Sequence, residues 1–123
     1  MDLSPAFDNG SSLGYNYPEA RTAKLCHDKN WLSAYAAKGT HHLRIEPDGD
    51  KFRHDELIRV LIEKRPEFRQ IAEKIISFDM EQFRKMLNDL TLFDVPFMFL
   101  PDRAEFTARI VAAKRNLLEQ AIG

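Results

Sequence analysis

A single carboxylate opens the most chemically suggestive stretch of the chain. Leu3-Ser4-Pro5-Ala6-Phe7-Asp8-Asn9-Gly10-Ser11-Ser12-Leu13-Gly14 is a short apolar approach, an acid, then a loop of small polar residues. Carboxylate oxygens suit Mg²⁺, and a backbone carrying few bulky side chains can come close to phosphates. The same residues also suit a surface Asx-turn, in which Asp8 or Asn9 bonds to its own backbone.

Other reactive residue types are scattered. His41 and His42 are adjacent, so their side chains diverge on a helix or a strand, and His27 and His54 stand apart. Cys26-His27 lacks the spaced repeat of a zinc site. Cys26, the one cysteine, sits among Ala23, Lys24 and Leu25 in a predicted helix, the setting of an inert buried thiol. It excludes an internal disulfide framework and fits a reducing cytoplasm.

The elements that must position these residues change character near residue 50. Residues 1–50 hold four of the five glycines and all three tyrosines, and read as loops and short helices. Pro18-Glu19-Ala20-Arg21 opens a helix to about His27, and a second, Trp31 to Lys38, ends at Gly39, a residue that readily takes the left-handed terminating conformation. Residues 51–123 read as a helical bundle. Leu57, Ile58, Leu61 and Ile62 share one stripe, and Pro66 breaks the helix before Phe68, Ile71, Ala72, Ile75 and Ile76. Asp79, with Gln82 three residues on, starts a helix carrying Phe83, Met86, Leu87 and Leu90. Residues 91–101, apolar and with their second half bracketed by Pro96 and Pro101, are expected to form a buried connection covering the bundle. Asp102 and Glu105 repeat the cap signature ahead of Phe106, Ile110, Ala113, Leu117 and Ala121. The expected architecture is mostly α, one structural domain.

Composition narrows the functions. The 123 residues are 44% apolar and 30% charged, as in a globular protein, with 18 basic against 19 acidic side chains and a net charge of −1. That balance carries no electrostatic footprint for direct nucleic-acid binding. A helix-turn-helix reading of residues 56–77 lacks a basic recognition helix. No run of about 20 apolar residues suggests a membrane span, and the first residues lack a secretory pattern, so the expected location is cytoplasmic. Lys64-Arg65 and Lys114-Arg115 are read as complements to the negative ends of helices. The mixed charges from Glu67 to Lys85 are read as a solvated face.

The stretch from Leu3 to Gly14 resembles the segment that follows the catalytic loop in HipA-like serine/threonine kinases, bacterial enzymes some of which are toxins of toxin–antitoxin pairs. His41-His42-Leu43-Arg44, the Arg65-Pro66-Glu67 break and the final helix through Lys114-Arg115-Asn116-Leu117-Leu118 are similar to that family's helical C-terminal lobe. The resemblance spans nearly the whole chain, its specific part being the first dozen residues. It implies that Asp8 holds Mg²⁺ bridging the phosphates of ATP, and that Asn9, Gly10, Ser11 and Ser12 shape the nucleotide-side loop. Residues 1–50 would be the metal-binding loop and short helices of the lobe, and residues 51–123 its bundle.

Kinase chemistry also needs a Gly-rich loop over the phosphates, a strand lysine and a catalytic-loop acid. The chain shows none of these, and the family's catalytic loop would lie just upstream of Leu3. The expectation is a truncated or split kinase that transfers phosphate only when an N-terminal kinase lobe completes it. An antitoxin-like protein is a second possible partner, and no catalytic residue is assigned here. The alternative is a stand-alone helical interaction module binding a protein through its 1–40 surface. Tyr15, Tyr17 and Trp31 are the expected surface for an absent lobe, and residues 92–100 the expected core.

Overall fold

In this computed structural model the described residues are 12–14, 17–39, 52–96 and 98–123. They form a 3-10 turn at Ser12–Gly14 and six helices: α1 (Glu19–Leu25), α2 (Lys29–Lys38), α3 (His54–Lys64), α4 (Phe68–Ile76), α5 (Met80–Leu90) and α6 (Pro101–Ile122). The mostly α expectation holds. None of these helices is long and apolar enough to cross a membrane.

The longest helix, α6, is the axis on which every other element packs. Its 22 residues span about 33 Å at 1.5 Å per residue. A helix surrounded by partners must be apolar on more than one side. Phe106 and Ile110 are fully buried against Leu25 and Cys26 of the α1 end and Leu32 of α2. Ala104 and Ala108, on another face, bury Leu87 of α5. Small residues there let the helices approach closely.

Polar pairs show how α4 and α5 run along this axis. Arg69 donates to the carbonyl of Ile122 at 2.5 Å, and Arg115 to that of Phe78 at 3.2 Å. Arg84 meets Glu105 at 2.6 Å. As numbers rise from 69 to 84, the α6 partners fall from 122 to 105. The two helices therefore lie in series, antiparallel to α6, with a break at Ser77–Asp79. The break is capped as expected: Asp79 accepts from the N–H groups of Glu81 and Gln82 at 2.9 and 3.3 Å. Helix α3 also ends before Pro66, at Lys64, with the chain resuming as α4 at Phe68.

Three sequence expectations are corrected. Most of the apolar residues described between 92 and 100 do not bury: Leu92 is 80% exposed and Phe93 59%, with Val95, Met98 and Leu100 also open, while Phe99 packs partly on the α5–α6 cluster; Phe97 lies outside the described residues. Two prolines prevent this segment from forming a helix whose one face could dock, so most of its apolar side chains stay outside. Helix α6 begins at Pro101, not behind an Asp102 cap. Proline at the first helical position lacks only a donor that would have no partner there, and Glu105 turns instead to Arg84 and Arg109. Gly39 closes α2 with φ −59°, ψ 130°, not left-handed. A Cβ at Gly39 would lie 2.9 Å from the ring of His54, so a larger residue there would push that ring aside. The backbones join at the same point, His54 N–H donating to Gly39 O at 3.1 Å.

Candidate functional site

The described part of the Leu3–Gly14 stretch is its tail, and the bundle grips it. Leu13 takes a positive φ of 56°, a conformation costing an L-residue about 1–2 kcal/mol, and its side chain packs on the Phe106–Ile110 core. Gly14 follows at φ 75°. A Cβ on Gly14 would sit 2.6 Å from Phe106 and 2.9 Å from Ile110, so backbone and side-chain space both demand glycine. The Gly14 N–H donates to the Tyr35 hydroxyl at 3.0 Å.

Arg103 completes the grip. Its guanidinium donates to the Gly14 carbonyl at 2.8 Å, to the Tyr17 carbonyl, and to Glu19 at 2.9 Å. The planar fork suits three acceptors at once, where an ammonium would reach them less well. Behind it Tyr17, Trp31, Tyr35 and Phe106 form one aromatic wall, with Trp31 stacked on Tyr35 at 5.0 Å and on Phe106 at 5.6 Å. Tyr17 meets Trp31 edge-on at 5.3 Å. Tyr17 and Trp31 are thus half-buried core, which corrects their assignment as surface for an absent lobe. Neither Arg103 nor Tyr35 was singled out by sequence, since a lone arginine in a first helical turn has no signature. The helical spacing of Trp31 and Tyr35 was the available signal.

Of the proposed metal and nucleotide residues, Asp8, Asn9, Gly10 and Ser11 lie outside the described residues, as do Tyr15, His41 and His42. Ser12 opens the 3-10 turn, directly before the anchored Leu13-Gly14. Among the described residues no group of three or more His, Cys, Asp or Glu side chains could hold a metal ion.

Hydroxyl and thiol groups elsewhere serve the helices. Thr22, Cys26, Ser77, Thr91 and Thr107 each donate to a carbonyl three or four residues earlier. Burial pushes the pKa of the Cys26 thiol up, against the charge of Arg109, and such a thiol is a poor nucleophile. Burial would also raise Glu105, but hydrogen bonds from Arg109 and Arg84 outweigh it and hold its carboxyl below the usual value.

Lys114 and Arg115 do not complement a helix end, because α6 continues two turns beyond them. The Lys114 ammonium stands 5.6 Å from the Tyr35 ring centre, and burial lowers its pKa. Arg115 lies over Phe78 at 5.2 Å. These are packing roles.

A groove of about 410 Å³ runs between α2 and α6, with Ala36, Ala112 and Ala113 among its apolar lining and Lys29, Ser33, Arg109 and Asn116 among its polar one. Arg109 is already paired with Glu105 at 2.7 Å. No family model, curated protein or solved structure matches the chain.

Proposed function

We propose that the chain is the C-terminal helical lobe of a HipA-like serine/threonine kinase, working in phosphoryl transfer from ATP only when an N-terminal kinase lobe completes it. In that role Asp8 would hold Mg²⁺, which when bound would supply positive charge toward the phosphates, and Asp8 itself would take no part in moving the hydroxyl proton. A carboxylate is the donor that Mg²⁺ takes, and Asn9, Gly10, Ser11 and Ser12 shape the adjoining loop. The base, the phosphate-covering loop and the lysine come from the other lobe.

One observation carries the reading: the motif's tail is anchored. Gly14 is locked to Arg103 and Tyr35 on the bundle, only a few residues after Asp8. A metal ligand needs a rigid support, and the anchored Leu13-Gly14 turn supports the reading in that sense. The test is Mg²⁺-dependent binding of a fluorescent ATP analogue. Binding is expected when the chain is mixed with the N-terminal lobe of a HipA-like kinase, and Asp8→Ala is expected to abolish it. Equal binding by Asp8→Ala contradicts the assignment.

The second reading, a stand-alone helical interaction module, is favoured by a different observation. The large apolar side chains exposed among the described residues lie between Ile71 and Leu100, not on the 1–40 surface. On this reading partner binding is unchanged by Asp8→Ala and lost on substitution along α4 and α5.

A further inference from the structure

The groove between α2 and α6 owes its depth to small side chains. Ala36, Ala112 and Ala113 line it where longer ones would fill the gap between the two helices. Leu32 and Ala36 form an apolar floor, only 7% and 3% exposed, and half-buried Leu117 extends it. The volume of about 410 Å³ falls within the roughly 300–1,000 Å³ of small-molecule sites.

The two ends of this groove differ in charge. Trp31 stacks on Phe106 at 5.6 Å, and Lys114 meets the Tyr35 ring at 5.6 Å, so residue numbers on α2 and α6 rise together. Lys29 and Arg109, the lowest-numbered lining residue of each helix, therefore share one end, and Ala36 and Leu117 lie toward the other. No carboxylate lines the groove. Arg109 gives its Nε–H to Glu105 at 2.7 Å, and Glu105 also takes a bond from Arg84. The terminal N–H groups of the Arg109 fork are the donors that suit a second carboxylate. Beyond Lys29, Asp28 accepts from the Trp31 N–H and is offset by Lys24.

We propose that the groove binds a small monocarboxylate with an apolar tail, its head between Lys29 and Arg109 and its tail over Leu32, Ala36 and Leu117, an inference independent of the kinase reading. Charge selects the head. Lys29 and Arg109 are opposed only by the Glu105 carboxylate bonded to Arg109, which leaves one positive charge at this end for one anionic group. The alanine-lined channel selects a slender tail. Size also excludes a protein as the occupant: such a partner takes about 800 Å² from each side, more than a floor of two leucines and a few alanines supplies.

Amide NMR of the full chain, titrated with octanoate to about 10 mM, tests this. Expected are saturable shifts confined to residues 29–36 and 109–120, with a Kd of about 1 mM or tighter. Acetate, which lacks the tail, and octylammonium, which reverses the charge of the head, should each bind at least ~10-fold more weakly. Lys29→Glu, at an exposed position, is expected to weaken octanoate binding by at least ~10-fold with far-ultraviolet circular dichroism unchanged. Ala112→Leu, which fills the groove, is expected to abolish the shifts. No saturable shift with octanoate overturns the proposal. So do shifts centred on other residues, equal binding of octylammonium, or octanoate binding that survives either substitution.

Discussion

Arg103 and Gly14, 89 residues apart, are joined by a guanidinium–carbonyl hydrogen bond of 2.8 Å. The bond ties the end of a glycine–serine loop to the first turn of the helix on which the molecule is built. The side chain of Arg103 is only 12% exposed, so its charge is met by fixed protein acceptors rather than by water. Removing it would take this donor from the Tyr17 carbonyl and leave the Gly14 carbonyl only the Tyr17 N–H, at 3.1 Å.

Arg103→Met is therefore expected to destabilise the fold by about 2–4 kcal/mol, since buried acceptors lose a charged donor. Arg103→Lys should recover less than half of that, because an ammonium cannot span three acceptors as the fork does. Urea denaturation of the three proteins measures both. Full recovery by lysine would show that charge alone suffices.

Gly14→Ala combines a positive φ with a Cβ 2.6 Å from Phe106. A loss of at least about 2 kcal/mol is expected, more than the backbone conformation alone would cause. Tyr35→Phe removes only the hydroxyl acceptor of the Gly14 N–H, and should cost about 1 kcal/mol. A neutral Gly14→Ala in thermal or urea unfolding would contradict the close packing of the turn.

Glu105 gives the acid limb of stability a defined sign. Its folded pKa is below the ordinary value of 4.5, so the stability it contributes is fully present above that value and is lost as pH falls through the lower, folded pKa. The stability difference between wild type and Glu105→Gln should shrink as urea denaturation is repeated at progressively lower pH through this window. A difference independent of pH would mean that the Arg84 and Arg109 contacts do not depend on the carboxylate's charge.

Cys26 is buried with a raised thiol pKa. Native protein should react with a thiol reagent at least ~100-fold more slowly than protein in urea, because attack waits for local opening. Equal rates would place the sulfur at the surface.

The helices were legible because their signals are local. Asp79 with its two backbone donors, Pro66 and the 4-3-4-4 spacing of Phe106, Ile110, Ala113, Leu117 and Ala121 need no knowledge of the rest of the chain. Burial was less legible, being a property of what lies opposite. Leu92 and Phe93 look like core residues in any window, yet they are 80% and 59% exposed. Trp31 and Tyr17 failed in the reverse direction: α2 crosses α6 at Phe106, a meeting that no spacing encodes. Of the candidate site, the glycine at 14 and the loop's composition could be read directly. The grip of Arg103 depends on 89 residues of intervening fold.

The kinase-lobe account rests on Asp8, and the most direct measurement is transfer of labelled phosphate from ATP to a Ser/Thr protein substrate. The chain would be assayed alone, with the N-terminal lobe of a HipA-like kinase, and with that lobe plus Asp8→Ala. The account predicts labelling in the second mixture only. Labelling that survives Asp8→Ala, or labelling by the chain unaided, would contradict it.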